Sequence, residues 1–179
     1  MKKVSLFQIT LIACMLSLAA PALAQSSKQP FLNKKSLINS GSGATEADRV
    51  TLENLKTTNA RMYNHFTRNF GNATDIRVSN IGKQQLITCS VDGGLNRIRY
   101  QKNGRWQSTM RTYENSLLPE DVREFINDTY PKYSIFGAVI EVSAGGNTAL
   151  LVLIEDKNSW KRIRVVNGEM DVYEEYAKR

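Results

Sequence analysis

The chain has 179 residues, 24 Lys and Arg against 17 Asp and Glu for a net charge of +7, and 41% hydrophobic residues. That length suits one domain or two small units sharing a core. With a single histidine and two cysteines, paired-ligand spacing for a metal site does not occur.

Residues 1–24 read as a secretory signal. Lys2 and Lys3 form its positive start, Val4 to Leu18 its apolar stretch, and Ala22-Leu23-Ala24 a small-x-small cleavage site before Gln25. The apolar run is broken by Gln8 and Thr10 and falls short of the roughly 20 residues that span a bilayer. An alternative is lipid anchoring through Cys14, because Leu11-Ile12-Ala13-Cys14 resembles a lipobox. The apolar Met15 to Ala20 after it is unlike the polar tether of a lipoprotein. Cleavage after Ala24 leaves 155 residues at +5, with Cys89 as the only thiol. No intramolecular disulfide can then form, so apolar burial must hold the fold, and Cys89 reads as a small core residue. The expected location is periplasmic or secreted. Export turns the positive charge away from nucleic acid and toward an acidic protein face or an anionic envelope component.

Residues 25–45 carry Ser, Lys, Asn and Gly around Ser40-Gly41-Ser42-Gly43 and read as a flexible leader. A first helix-plus-sheet repeat is expected over 46–116. It opens on a helical pattern with Val50, Leu52 and Leu55 as weak apolar contacts. Thr57-Thr58-Asn59 then caps a stronger helix over 60–70, striped by Met62, Tyr63, Phe66 and Phe70 and ended by Gly71. Four alternating runs come next: Ile76 and Val78; Ile87, Cys89 and Val91; Leu95, Ile98 and Tyr100; and Trp106, Ser108 and Met110. Such alternation predicts antiparallel strands covered on one face. Asp92-Gly93-Gly94 and Lys102-Asn103-Gly104 supply hairpin turns.

A second repeat is expected over 117–179. Val122, Ile126 and Tyr130 reproduce the helical stripe of Met62, Phe66 and Phe70 sixty positions on, and Asn167-Gly168 reproduces Asn103-Gly104. Pro119 suits a first helical turn, Glu120 and Asp121 face its positive end, and Pro131 stops it. Strands are predicted at 133–142, 148–155 and 160–166, with a short last run from Glu169 to Tyr173. Ala149 to Ile154 is apolar on both parities, which predicts a strand covered more fully than its neighbours. The fold class is α+β: a tandem repeat of a helix followed by antiparallel β-sheet, the helices packed on one sheet face.

Catalytic chemistry finds little support. His65 is the only imidazole, and neither a nucleophile elbow nor a phosphate-binding loop is present. The carboxylates Glu120, Asp121, Glu141, Glu155, Asp171, Glu174 and Glu175 are scattered, with no pair placed for acid–base work. No catalytic residue, metal ligand or cofactor is assigned. The sharper signal is arginine spaced two apart on strands, which projects to one side. Arg97, Arg99, Arg111, Arg162 and Arg164, with Trp106 and Trp160, are the candidate binding residues of an exposed sheet face.

The repeated unit resembles the PepSY-like, beta-lactamase-inhibitor-like family of exported bacterial proteins. The resemblance rests on Leu118-Pro119-x-x-Val122, Tyr130-Pro131, Ile135 to Val142 and Val165-Val166-Asn167-Gly168. A looser copy runs through Met62 to Phe70, Asn72-Ala73-Thr74-Asp75 and Tyr100 to Gly104. It implies a small envelope module without enzymatic activity, of the kind that grips a target through an antiparallel sheet. The expected function is an exported, non-enzymatic binding module, inhibitor-like in form. The alternative is a small periplasmic hydrolase or ligand carrier with a pocket between helix and sheet.

Overall fold

A polar knot starts the ordered chain. In the computed structural model, which describes residues 44–179, Thr45 caps helix α1 (Glu46–Thr58) by accepting the Asp48 N–H at 3.2 Å. The Asp48 carboxylate answers by accepting the Thr45 N–H and hydroxyl, both at 2.9 Å, a reciprocal capping box. Its other oxygen accepts the Ile76 N–H at 2.6 Å, tying the start of α1 to a strand 28 residues on. Burial works to raise the Asp48 carboxyl, but the hydrogen bonds from Ile76 and Thr45 outweigh it and hold it below the usual carboxylate range. Thr45, read as the end of the leader, is thus part of the fold; residues 1–43, with the expected signal and most of the leader, lie outside the described residues. Of the expected α1 contacts Leu55 is buried and Leu52 half-buried, whereas Val50 stays exposed.

Asn59 ends α1 and caps α2 (Ala60–Asn69), accepting the Met62 N–H at 3.2 Å. Its amide nitrogen donates to Gln85 Oε1 at 3.0 Å and to the Lys102 carbonyl at 3.1 Å, which fixes the helix start against two hairpins. The turn beneath it requires glycine. Gly104 has φ +77°, and a Cβ there would collide with Asn59 Oδ1 and the Met62 nitrogen of α2.

The first strands are β1 (Thr74–Ile81), β2 (Gln84–Val91), β3 (Gly94–Gln101) and β4 (Trp106–Glu114). A 3-10 turn, Asn115–Leu117, leads to α3 (Glu120–Thr129), then β5 (Ser134–Ala144), β6 (Asn147–Glu155), β7 (Ser159–Val166) and β8 (Glu169–Ala177). All eight form one antiparallel sheet in chain order. β4 and β5 join the two halves, in register from Ser108 against Ala144 to Glu114 against Ala138. The strand expected to stop at Tyr173 continues to Ala177, because β8 keeps pairing with β7 past a bulge opposite Arg162 and Ile163.

Buried side chains fall into two clusters. One joins Leu55, Met62, Phe66 and Phe70 of the α1–α2 segment to Ile76, Ile87, Cys89, Ile98 and Tyr100. The other joins Val122 and Ile126 of α3 to Tyr113, Val139, Leu150, Val152, Ile154, Ile163 and Val165. The cross-strand register assigns every strand member of both clusters to one parity, here the inner face. Among the described residues no side chain of the opposite, outer parity belongs to either cluster. The expectation that β6 is covered more fully than its neighbours holds: Leu150, Val152 and Ile154 are buried against one buried residue on β5 and two on β7, although Ala149, Leu151 and Leu153 on the outer parity are only half-buried.

Candidate interaction face

The outer parity can be traced across the sheet through its register. One row runs Arg77–Thr88–Arg97–Met110–Val142–Ala149–Val166–Glu169, touching every strand. Beside it runs Ser90–Leu95–Thr112–Ile140–Leu151–Arg164–Asp171. The first row runs from basic and polar side chains on β1–β3 to apolar ones on β4–β7 and ends on Glu169; the second sets Ser90, Leu95 and Thr112 before apolar Ile140 and Leu151 and the charged Arg164 and Asp171.

The candidate residues separate into three groups. Arg97 and Arg99 stand exposed on β3, alternating with buried Asn96, Ile98 and Tyr100. Neither has an ion-pair partner among the described residues, and the outer parity of β2 and β3 carries no carboxylate. Arg77, two strands away in the same row, is a third arginine with no ion-pair partner among the described residues. A lone arginine between Ile76 and Val78 carries no i,i+2 signal, so the sequence did not single it out.

Arg162 and Arg164 lie on the same face but are neutralised. Arg162 pairs with Glu174 at 2.7 Å, and Arg164 grips Asp171 through two parallel bonds of 3.0 Å. Trp160 completes this edge by stacking on Tyr176, ring centroids 4.2 Å apart. An open depression of about 370 Å³ at the β7–β8 turn is lined by Arg164, Val166, Asn167, Glu169 and Asp171.

Trp106 and Arg111 are on the other face. Trp106 pairs in register with buried Tyr100, stacks on His65 of α2 at 5.9 Å and donates from Nε1 to Thr109 Oγ1 at 3.0 Å. Arg111 sits between Asn96 and Glu141 on the inner parity, with its guanidinium 4.7 Å from the Tyr113 ring and donating to the Asp92 carbonyl at 3.3 Å. The cause is a register shift between Arg99 and Tyr100 that inserts Gln107 and flips the parity of the rest of β4.

The titratable groups of the inner face are held in structural pairings. His65 Nδ1 meets the Tyr100 hydroxyl at 3.0 Å; burial, then the charge of Arg68, lowers its pKa and favours the neutral ring. Burial, with the nearby Asp48 charge, pushes the Cys89 thiol up to about 12, which leaves it unreactive. Burial also raises the Glu141 carboxyl, against the opposing pull of Arg111 and the Tyr113 hydroxyl. The Tyr113 phenol itself is pushed up to about 12 by burial and by Glu141. Among the described residues no group of three His, Cys, Asp or Glu is placed to hold a metal ion.

No protein-family model matches the chain, and no curated protein matches it in sequence. Among solved structures, a BLIP-like protein from Bacteroides fragilis is similar over 66% of this chain and 84% of its own, at 18% identity and a TM-score of 0.48. A DUF2874 family protein from Bacteroides uniformis is similar over 66% of this chain and 88% of its own, at 10% identity and a TM-score of 0.48. A second DUF2874 family protein, from Bacteroides ovatus, covers 65% and 85% at 12% identity and a TM-score of 0.46.

Proposed function

We propose that this protein is an exported, non-enzymatic binding module of the bacterial envelope that seats a protein partner on the outer face of its sheet. One observation carries the reading: the outer parity of β4–β6 presents Met110, Ile140, Val142, Leu151 and Leu153, and none of them belongs to a buried cluster. Strand side chains that build no core and interrupt a polar surface mark an interaction site. The helical segments share their clusters with the inner parity only, which supports helices packed on one face, in a tandem repeat of 46–116 and 117–179. The basic start, apolar stretch and small-residue cleavage site within residues 1–24 support a periplasmic or secreted location. An inhibitor-like role would use the same open face, with the target's identity set by its chemistry.

Site-specific photocrosslinking tests this. A benzoylphenylalanine replacing Val142 on the outer parity is expected to give a discrete protein adduct in intact cells. The same residue replacing exposed Asn64 on α2 is expected to give none. Adducts from Asn64 alone would place the partner on the helices and end the reading.

A further inference from the structure

We infer that the partner of the outer face is an acidic protein surface with an apolar side chain set beside its carboxylates; this rests on the binding reading above and assigns the partner's chemistry. The face carries two arginine groups that differ in one respect. Arg162 and Arg164 are already satisfied by Glu174 and Asp171, so an incoming carboxylate gains little from them. Arg77, Arg97 and Arg99 have no carboxylate within ion-pair distance among the described residues. Their guanidinium forks are matched to carboxylates, which they take two-point.

Register sets the spacing. Arg77 and Arg97 are two strands apart, about 10 Å at the usual strand separation, and Arg97 and Arg99 are about 7 Å apart along one strand. Three forks spread over a patch of this size suit several carboxylates distributed on a protein surface. The neighbouring strands decide between a protein and a bare polyanion. In the same row Arg97 is followed by Met110 and Val142, the latter about 10 Å away on the same face. A glycan or lipid headgroup uses the cations and leaves those side chains wet. A protein surface with a Tyr, Phe or Leu flanked by Glu or Asp uses both, the apolar contact slowing release and the charges speeding encounter.

The test uses the purified protein and a random copolymer of glutamate and tyrosine as probe, compared with polyglutamate, a lysine–tyrosine copolymer and phosphatidylglycerol vesicles. The glutamate–tyrosine copolymer is expected to bind at least tenfold more tightly than the other three. The triple variant Arg77→Gln/Arg97→Gln/Arg99→Gln is expected to lose at least tenfold, and Arg97→Lys/Arg99→Lys, which keeps the charge but not the two-point fork, to lose about threefold. Val142→Ser is expected to lose threefold or more, and Arg162→Gln/Arg164→Gln less than twofold. Equal binding of polyglutamate or vesicles would overturn the inference in favour of charge alone. So would a triple variant, confirmed folded by its thermal melt, that binds unchanged. If Val142 still crosslinks a protein whose affinity ignores the triple variant, the acidic partner is wrong and the binding face survives. If the copolymer binds as expected but Val142 gives no adduct in cells, the binding reading itself falls.

Discussion

Phe66→Ala is expected to destabilise the protein by about 4 kcal/mol, the cost of deleting a fully buried aromatic and leaving a cavity. Phe66 is 1% exposed and stacks on Phe70 at 5.5 Å in the cluster that joins α2 to β2 and β3. No disulfide reinforces this part of the chain, since Cys89 is its free and buried thiol. The neighbouring strand positions alternate between indispensable and spare. Arg97→Ala, one residue from buried Ile98 but on the outer parity, is expected to stay within about 0.5 kcal/mol of the wild type. Urea unfolding at neutral pH checks both. A Phe66→Ala loss under about 1.5 kcal/mol would show that α2 is not held by this cluster.

The second large effect is expected at Asp48. Asp48→Ala removes the capping acceptor and strands the Ile76 N–H in a buried site, at a cost of about 3 kcal/mol. Asp48→Asn keeps one acceptor oxygen and is expected to lose about half as much. The pH dependence comes from the lowered carboxyl pKa of the folded state. A carboxyl depressed on folding stabilises the protein above its unfolded value near ~4, and that stabilisation is lost as pH falls through the folded value. The stability gap between wild type and Asp48→Asn should therefore be full at neutral pH and shrink below about pH 4. A gap that stays constant down to acid unfolding would mean that the Asp48 charge contributes nothing.

Much of this architecture could be read from local pattern. Met62, Phe66 and Phe70, and later Val122 and Ile126, announce helices because their 3.6-residue spacing is the burial spacing itself. Asn167-Gly168 announces a hairpin because both residues must take positive φ, and both do, at 52° and 81°. Arg97 and Arg99 are legible for the same reason: β3 alternates strictly, so parity and face coincide.

The misreadings share a different cause. Trp106, Ser108 and Met110 alternate as one face in sequence, but the bulge at Gln107 breaks that count, keeping Trp106 on the inner parity and turning Ser108 and Met110 to the outer one. Arg162 and Arg164 look as free in sequence as Arg97 and Arg99. Only the β7–β8 register brings Glu174 and Asp171 opposite them. Nothing in the sequence singles out Asp48, because its bond to Ile76 joins segments 28 residues apart. Arg77 becomes part of a cationic group only when β1 pairs with β2 and β2 with β3. Periodicity reports which side chains a strand turns toward its core, whereas partners across strands are set by register and turn length.

The two-sidedness of the sheet is tested most directly by thiol labelling of adjacent residues in β6. Native Cys89 is buried, with its thiol pKa pushed up to about 12, and serves as a silent background. Leu151→Cys on the outer parity is expected to react with a maleimide on the order of a hundredfold faster than Val152→Cys on the inner parity. Equal protection at the two positions would mean that something covers both faces, and the open surface proposed for the partner would not exist.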